Sequence, residues 1–162
     1  MNKDVKIEIF LIFFVLFVSA CANKPTAEII KNTTQSQQQT FSCKGSADCY
    51  YGTITRVVDG DTLEVDGASV RLTLVDAPEI RDVGGLEAKA FAETICPLGA
   101  PALVDEDDGQ TEGSYGRLIG VVYCNGKNLN EEMITNGYAS VYLEFCDVSE
   151  FANELWALQN GC

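Results

Sequence analysis

The sequence predicts an α+β domain that is mainly β, with five short strands closed into a Greek-key barrel and about three helices. Three observations lead to this fold class. The strand-forming stretches are short, and turn dipeptides such as Asp66-Gly67 and Asn125-Gly126 separate them. A helix-forming stretch is inserted after the third strand. The chain has 162 residues and is 46% hydrophobic, which is enough for one core with appendages.

The strands are predicted from runs of β-branched and aromatic residues bounded by turn residues. The five strands span residues 50–58, 62–65, 69–75, 102–105 and 118–123, and a brief additional strand spans 138–142. Alternation along the third strand places Arg71, Thr73 and Val75 on one face, and Leu72 and Leu74 on the other. The charged side chain on that strand therefore stands out among apolar neighbours.

The helices are predicted at residues 86–95, 128–136 and 148–159. Asn128 is a candidate N-cap of the second helix, and Gly137 is its expected stop. The spacing of Phe151, Leu155 and Leu158 predicts one apolar face on the last helix. Together with the strands, this order of elements fits a small barrel of the oligonucleotide/oligosaccharide-binding type, the OB-fold.

The charge of the chain is strongly negative. There are 11 Lys and Arg residues against 24 Asp and Glu residues, which gives a net charge of −13, and there is no histidine. Such a surface repels polyanions at long range, which argues against a general nucleic-acid coat protein. It permits an enzyme with a locally positive pocket, because salt screens charges beyond roughly 8 Å. Without histidine, acid–base work falls to carboxylates.

The amino terminus predicts export. Residues 9–18 form an apolar run that is too short to span a bilayer but suits a signal-peptide core. Val18-Ser19-Ala20-Cys21 follows it and resembles a prokaryotic lipobox, in which Cys21 carries the lipid anchor. The alternative is a plain signal peptide with an incidental cysteine. Either way, the expected location is extracytoplasmic, as a lipid-anchored or a secreted protein.

Three segments follow from this organisation. Residues 1–21 are predicted to be a lipoprotein signal peptide, residues 22–42 a disordered tether, and residues 43–162 the folded domain. The tether is rich in Asn, Thr, Ser and Gln and has no apolar period.

Six cysteines remain after Cys21, and an even number in an exported domain indicates disulfides. Six cysteines allow fifteen connectivities. We expect Cys43 to pair with Cys49, which closes a short loop, and Cys146 to pair with Cys162, which attaches the last helix to the body of the domain. Cys96 and Cys124 then pair by elimination. Zinc is the competing interpretation, which the absence of a C-x-x-C pair and of histidine makes the weaker one.

Acidic and basic residues recur in three short motifs. They are Val58-Asp59-Gly60-Asp61-Thr62, the run from Val70 through Arg71 to Asp76-Ala77-Pro78-Glu79, and Ser114-Tyr115-Gly116-Arg117. Carboxylates hold hard divalent cations and accept protons, whereas arginine binds phosphate with a planar fork of donors. A cation site, a base and an anion clamp are the groups needed to cut a phosphodiester.

In their order and spacing these motifs resemble the staphylococcal-nuclease-like (thermonuclease) family, over roughly residues 51–142. The stretches Leu86-Glu87-Ala88 and Leu129-Asn130-Glu131 match as well. The resemblance implies an OB-fold and a Ca²⁺-dependent extracellular endonuclease that hydrolyses DNA, RNA or both with low sequence specificity. No obligate protein partner is evident.

The resemblance also implies the cation ligands. Asp61, Asp76 and the backbone carbonyl of Ala77 would bind Ca²⁺, and Asp59 would support them from beside the metal. Threonine is common in the family at the position of Ala77, so a backbone ligand survives and a hydroxyl is lost. Taken alone, Asp59-Gly60-Asp61 is better interpreted as a simple tight turn, and the downstream matches reverse this interpretation.

The remaining roles fall to four residues. Glu79 would act as general base or orient the attacking water, and Arg71 and Arg117 would bind the phosphate. Tyr115 is either a substrate contact or a strand aromatic. The alternatives are a solvated loop acid for Glu79, a structural ion pair for Arg71 and a surface cation for Arg117.

The chain departs from the family around the site. The loop at residues 80–85 is short, Ser114 precedes Tyr115, and Leu143 stands where an aromatic base contact is often found. Residues 105–109 resemble half of an EF-hand loop in the wrong register, so we interpret them as a solvated hairpin turn.

Two other functions stay open at this point. The first is a catalytically inactive OB-fold lipoprotein that binds oligonucleotides, sugars or a protein partner, which the acidic charge favours. The second is a disulfide-stapled structural lipoprotein, for which the charged motifs would be a coincidence. The mutual positions of Asp61, Asp76, Glu79, Arg71 and Arg117 discriminate between these functions.

Overall fold

The computed structural model describes residues 41–111, 113 and 115–162. The predicted signal peptide, with Cys21, and residues 22–40 of the predicted tether lie outside this part, as do Glu112 and Ser114. Within it, every helix is too short or too polar to cross a membrane.

A closed five-stranded barrel forms the body of the domain, as the sequence predicts. Its strands are β1 (Cys49–Val57), β2 (Thr62–Val65), β3 (Ala68–Leu72), β5 (Pro101–Glu106) and β6 (Leu118–Cys124). Three two-residue strands accompany them: β4 (Val75–Asp76), β7 (Lys127–Asn128) and β8 (Ser140–Val141). The order around the barrel is β3-β2-β1-β5-β6, and a parallel pairing of β3 with β6 closes it. The closing register places Arg71 opposite Ile119.

Turn chemistry sets the hairpins. Asp66 and Gly67 have φ values of 50° and 83°, and Asn125 and Gly126 have φ values of 52° and 76°. Consecutive positive φ values are those of the tight hairpin turns that match strand twist. The β2–β3 and β6–β7 connections are therefore as short as the sequence predicts.

Helices α1 (Gly85–Ile95) and α2 (Leu129–Thr135) cover the barrel core. The cap of α2 is the predicted one, because the side chain of Asn128 accepts a hydrogen bond from Glu131 N at 3.2 Å. Gly137 follows the helix with φ 76°. Leu129 and Met133 are fully buried on the inner face of α2.

The third strand is shorter than predicted. β3 ends at Leu72, because Leu74 adopts a left-handed conformation with φ 59°. The chain then turns, and Val75 and Asp76 form β4, which pairs with β8. The predicted alternation over residues 69–75 is consequently wrong beyond Leu72. Because of this turn, the segment after β4 runs back towards β2, and the candidate site lies where the two meet.

The last predicted helix is also wrong as a continuous element. Residues 148–159 form a 3₁₀ turn at Glu150–Asn153 and then the one-turn helix α3 (Leu155–Leu158), because Glu154 between them is extended, with ψ 146°. Phe151 and Trp156 are buried, whereas Leu155 and Leu158 are exposed. The predicted apolar face on Phe151, Leu155 and Leu158 therefore does not exist.

The three disulfides have the pairing expected from the sequence. Cys43–Cys49, Cys96–Cys124 and Cys146–Cys162 close intervals of 6, 28 and 16 residues. The first one holds the amino-terminal loop against the barrel, where Phe41 stacks on Tyr123 with ring centroids 4.1 Å apart.

Candidate active site

The turn that follows β1 presents the first acids. Asp59 Oδ1 accepts a hydrogen bond from Asp61 N at 3.1 Å, which fixes the turn. Gly60 is required between them by packing, since a Cβ there would lie 2.7 Å from Ala77 Cβ and 2.8 Å from Ala88 Cβ. The matching stretch around Ala88 thus has a structural reason. Helix α1 presses this turn against Ala77.

Asp61 is the most connected of the candidate residues. Its side chain is buried, and Oδ1 accepts hydrogen bonds from Arg71 Nη1 at 2.6 Å and from Thr62 Oγ1 at 3.0 Å. Oδ2 accepts from the backbone N–H of Ala77 at 3.0 Å. Burial raises the pKa of Asp61, while the Ala77 N–H and the Arg71 guanidinium oppose that rise.

The structure distributes the predicted residues over two cavities. Arg71, Arg117 and Tyr115 line a cavity of about 220 Å³. A second, more open cavity of about 570 Å³ is lined by Asp76 and Glu79, with Ala77 between them in the chain. Asp61 contacts one residue of each cavity, because one carboxylate oxygen binds Arg71 and the other binds the Ala77 N–H. The predicted arginines thus line one cavity, and the predicted Asp76 and Glu79 line the other.

Arg117 follows a tight turn. Tyr115 and Gly116 have φ values of 54° and 76°, so the chain reverses immediately before β6. The guanidinium of Arg117 lies 5.8 Å from the centroid of the Tyr115 ring, a cation–π contact. Tyr115 is otherwise almost fully exposed. This turn carries both side chains to the mouth of the smaller cavity.

Arg71 combines two of the roles weighed for it. It forms the ion pair with Asp61, which is the structural alternative, and it also lines the cavity that Arg117 shares. Its Nη2 reaches the carbonyl of Val75 at 3.4 Å. The guanidinium thus bridges the start of β4 and the acidic turn.

Glu79 is exposed on a turn held by its own backbone. Asp82 N donates to Glu79 O at 2.8 Å, and Gly85 at the start of α1 packs so closely that a Cβ would lie 1.9 Å from that oxygen. The carboxylate is therefore free to face the open cavity from a fixed backbone. Pro78 precedes it and restricts the chain further.

One group of three potential metal ligands lies within 4.8 Å among the described residues, and it is Cys43, Cys49 and Asp105. Its two cysteines form a disulfide, so they do not ligate a metal. The ligands predicted for Ca²⁺ differ from this group, because they are two carboxylates, a backbone carbonyl and waters.

Seven further residues of the smaller cavity were not predicted as site residues, and four of them are polar or aromatic. Thr73, Gln110, Tyr142 and Phe145 line it together with the arginines. Tyr142 and Phe145 contact each other edge to face at 4.8 Å between centroids. Leu143, which occupies the expected aromatic position, is exposed. The sequence does carry a signal for the aromatic pair, because both rings lie within two residues of Leu143. It carries no signal for Gln110.

The acidic run that begins at the end of β5 is not the solvated turn that the sequence predicted. Asp105, Glu106 and Asp107 are buried, and Asp107 caps a 3₁₀ turn at Asp108–Gln110. Asp108 is exposed and accepts from the backbone N–H groups of Ser46 and Ala47, which lowers its pKa. The run is instead the anchor of the amino-terminal loop and the support of one cavity wall.

These features define a class of protein: a small OB-fold barrel with two arginines in one cavity, two carboxylates in a second, and a buried aspartate that contacts a residue of each. The family model described as "Staphylococcal nuclease homologue" matches residues 69–161, more than half of the chain. The chain belongs to this family.

Relatives support the assignment at modest identity. An uncharacterized protein of Methanocaldococcus jannaschii is 31% identical over 153 residues, which cover 69% of this chain and 74% of that protein. Endonuclease YhcR of Bacillus subtilis is 33% identical over 57% of this chain but only 9% of its own length. Endonuclease YncB of the same species is 31% identical over 68% of this chain and 56% of its own length. The chain thus spans less than two thirds of either endonuclease.

Proposed function

We propose that this protein is a Ca²⁺-dependent endonuclease that hydrolyses phosphodiester bonds of DNA, RNA or both, with low sequence specificity. Membership of the nuclease family and the names of the two endonuclease relatives support the nuclease activity. The observation that carries the proposal is the Asp61 carboxylate, which binds Arg71 on one side and the Ala77 N–H on the other. It contacts one residue of the cavity lined by the arginines and one residue of the cavity lined by Asp76 and Glu79.

In this proposal the two arginines bind the substrate. Arg71 and Arg117 line one cavity, and their guanidinium donors match the oxygens of a phosphodiester. Both also stabilise the extra negative charge of the five-coordinate phosphorus. Because Arg71 is already partnered by Asp61, its guanidinium is held in place before substrate arrives.

Glu79 takes the proton of the attacking water or orients that water. Its carboxylate lies in the open cavity beside Asp76, and it has room for a water molecule there. A carboxylate near a cation is a weak base, so geometry and charge supply most of the rate enhancement.

The residues present fit Ca²⁺. Asp61, Asp76 and the Ala77 carbonyl offer hard oxygen donors, which this cation prefers. Asp61 Oδ2 accepts one hydrogen bond and so retains acceptor capacity for a cation. Asp59 supports Asp61 by fixing its backbone N–H. When bound, Ca²⁺ would neutralise charge on the phosphate.

The location is the second part of the proposal. A lipid at Cys21 would hold the domain at the membrane, outside the cytoplasm, with residues 22–42 as tether. The measurement is the mass of the amino-terminal peptide from the membrane fraction of cells that express the full chain. An unmodified Cys21, or a mature chain that starts elsewhere, would overturn the anchor.

The test of activity uses the purified full chain, single-stranded DNA and RNA, and either Ca²⁺ or a Ca²⁺ chelator. We expect cleavage with Ca²⁺ only. A folded protein that binds oligonucleotides without cutting them would instead support the inactive binding module. A folded protein that does neither would contradict both functions.

A further inference from the structure

We propose that Gln110 is a specificity-determining residue, whose side-chain carbonyl oxygen accepts a hydrogen bond from a ring N–H of the nucleobase next to the bound phosphate. This inference rests on the proposed function, because it concerns the cavity shared by Arg71 and Arg117. It assigns a base preference to a site whose arginines bind only the phosphate.

The first argument is the orientation of the Gln110 amide. Its Nε2 donates to Asp107 Oδ2 at 3.0 Å and to Thr73 Oγ1 at 3.0 Å. A carboxylate only accepts hydrogen bonds, so the amide nitrogen must face Asp107. The two acceptors lie 2.6 Å apart on one side of the amide nitrogen, so the nitrogen faces the buried network and Oε1 is the amide atom turned away from it. Gln110 therefore offers a base its carbonyl oxygen, which is a hydrogen-bond acceptor.

The second argument is that the buried carboxylate of Asp107 fixes this orientation of the Gln110 amide. Asp107 is fully buried, and its Oδ2 also accepts from the hydroxyl groups of Thr73, at 2.6 Å, and of Ser149. Its Oδ1 accepts from the backbone N–H groups of Gly109 and Glu150 at 3.0 and 3.1 Å. A carboxylate with five donors around it does not turn, so it cannot release the Gln110 amide to flip.

The third argument is the shape of the cavity above Gln110. Tyr142 and Phe145 line it in an edge-to-face pair, and Leu74 and Ile119 complete an apolar wall. Aromatic faces stack on nucleobases without regard to sequence. A nucleobase stacked on this wall beside the arginine-bound phosphate would present its polar edge to the polar side chains of the cavity. Among them the Thr73 hydroxyl already bonds Asp107 and Gln110, so we assign the contact to Gln110 Oε1.

Chemistry then defines the preferred base. Thymine, uracil and guanine carry a ring N–H on the edge used for pairing, whereas cytosine and adenine have an unprotonated ring nitrogen there beside an amino group. A carbonyl oxygen placed opposite the ring nitrogen favours the first group, because in cytosine and adenine two acceptors would face each other. One neutral hydrogen bond corresponds to a preference of about 3- to 10-fold.

The experiment compares two substrates that differ at one atom. Each is an oligodeoxynucleotide of cytosines with a single internal thymidine or N3-methylthymidine, cleaved by the full chain with Ca²⁺. We expect cleavage beside thymidine to be about 3- to 10-fold faster than beside N3-methylthymidine. In the Gln110→Met variant, which keeps the bulk and loses the acceptor, the ratio should fall to about 1.

The outcomes separate the inference from the proposed function. A wild-type ratio near 1 would overturn the inference. An unchanged ratio in Gln110→Met would also overturn it, because the N3-methyl group of the substrate would then slow cleavage by its bulk alone. If neither substrate is cut, the proposed function fails. The inference is then tested by binding: the dissociation constant of the N3-methyl analogue should exceed that of thymidine 5′-phosphate by the same factor, and equal constants would overturn the inference.

Asp107 is tested as a positioning residue. Asp107→Asn can donate to Gln110, which permits the Gln110 amide to turn over and present its nitrogen to the base. We expect the preference for thymidine over cytidine to weaken or invert in this variant, while thermal unfolding reports any loss of fold. A folded Asp107→Asn protein with the wild-type preference would contradict the positioning role.

Discussion

Arg71 donates a hydrogen bond to Asp61 across 2.6 Å, so a cation expected to bind phosphate is paired with an acid expected to bind metal. Asp61 is buried and Arg71 is about one-fifth exposed. Removal of either partner therefore leaves a buried or half-buried charge uncompensated, and effects on activity and on stability must be separated.

The first prediction concerns this pair. Arg71→Ala should lower the free energy of unfolding by about 3 kcal/mol, at the low end for buried pairs because Arg71 keeps some solvent. The double variant Asp61→Asn with Arg71→Ala should recover part of that loss. Urea unfolding measures both. An Arg71→Ala protein as stable as the wild type would show that the ion pair contributes nothing to folding.

The second prediction isolates chemistry from stability at Glu79. Because this carboxylate is exposed, Glu79→Gln should leave the unfolding midpoint unchanged and lower kcat by about 10²- to 10⁴-fold. Glu87→Gln is the matched control, since it removes an exposed carboxylate from the nearby helix α1. Equal activity of the Glu79→Gln and Glu87→Gln proteins would remove Glu79 from the mechanism.

The third prediction concerns pH and Asp105. Asp105 is buried, and its Oδ1 has no hydrogen-bond partner among the described residues. Burial raises its pKa, and although the Lys44 N–H opposes this, Asp108 and Asp107 add to it. The folded protein thus binds this proton more tightly than the unfolded chain does. Stability should fall as pH rises from the ordinary carboxyl pKa to the raised pKa in the fold, and then level off.

Asp105→Asn should remove that decline, because the variant has no charge to bury. Melting temperatures between pH 3 and pH 7 measure the effect, and the difference between variant and wild type should grow with pH. Asp48→Asn, at an exposed position, is the control. A constant difference across this range would mean that Asp105 does not titrate in the fold.

The fourth prediction explains one of the matching stretches. Asn130 is fully buried and makes three hydrogen bonds: its Nδ2 donates to Thr73 O at 2.8 Å and Gly120 O at 3.2 Å, and its Oδ1 accepts from Val122 N at 3.1 Å. Asn130→Ala should cost about 2–4 kcal/mol, because three buried backbone groups each lose a hydrogen bond, of which, among the described residues, Gly120 O alone keeps another, from Thr73 N at 2.8 Å. Asn136→Ala, at the exposed C-cap of the same helix, should cost well under about 1 kcal/mol. Similar losses in both would contradict the role of Asn130.

The fifth prediction ranks two disulfides by loop length. By chain entropy, loss of Cys96–Cys124, which closes 28 residues, should cost roughly 3.5 kcal/mol, and loss of Cys43–Cys49, which closes 6, roughly 2 kcal/mol. Paired Cys→Ala variants and urea unfolding test this order. The reverse order would mean that native-state contacts, such as the stacking of Phe41 on Tyr123, dominate over loop entropy.

The sequence predicts the parts of the fold that local chemistry determines. The Asp66-Gly67 and Asn125-Gly126 turns, the Asn128 cap and the three disulfides agree with the structure, because each depends on a few neighbouring residues or on cysteine parity. The barrel follows from the strand order. The roles of the site residues stay predictions, because the structure places the arginines in one cavity and Asp76 and Glu79 in another.

The sequence fails where tertiary contacts override local pattern. Leu74 has strand propensity, yet its carbonyl accepts from Tyr142 N at 2.9 Å and Asn130 binds the preceding carbonyl, so the chain turns there. Residues 105–107 look like a solvated acidic run, yet the barrel supplies backbone and hydroxyl donors that no local pattern reveals. Gln110 became visible as a site residue only through that same network.

The parallel pairing of β3 with β6 also sets the order in which the molecule can assemble. Arg71 and Ile119 are partners in that pairing although 47 other residues separate them in the chain, whereas β1, β2 and β3 are joined by short hairpins. Sequence-distant contacts close late and slowly. The cavity between Arg71 and Arg117 therefore exists only once β6 has been made and has docked, and a chain emerging from the ribosome cannot hold a phosphate there before its last third has appeared.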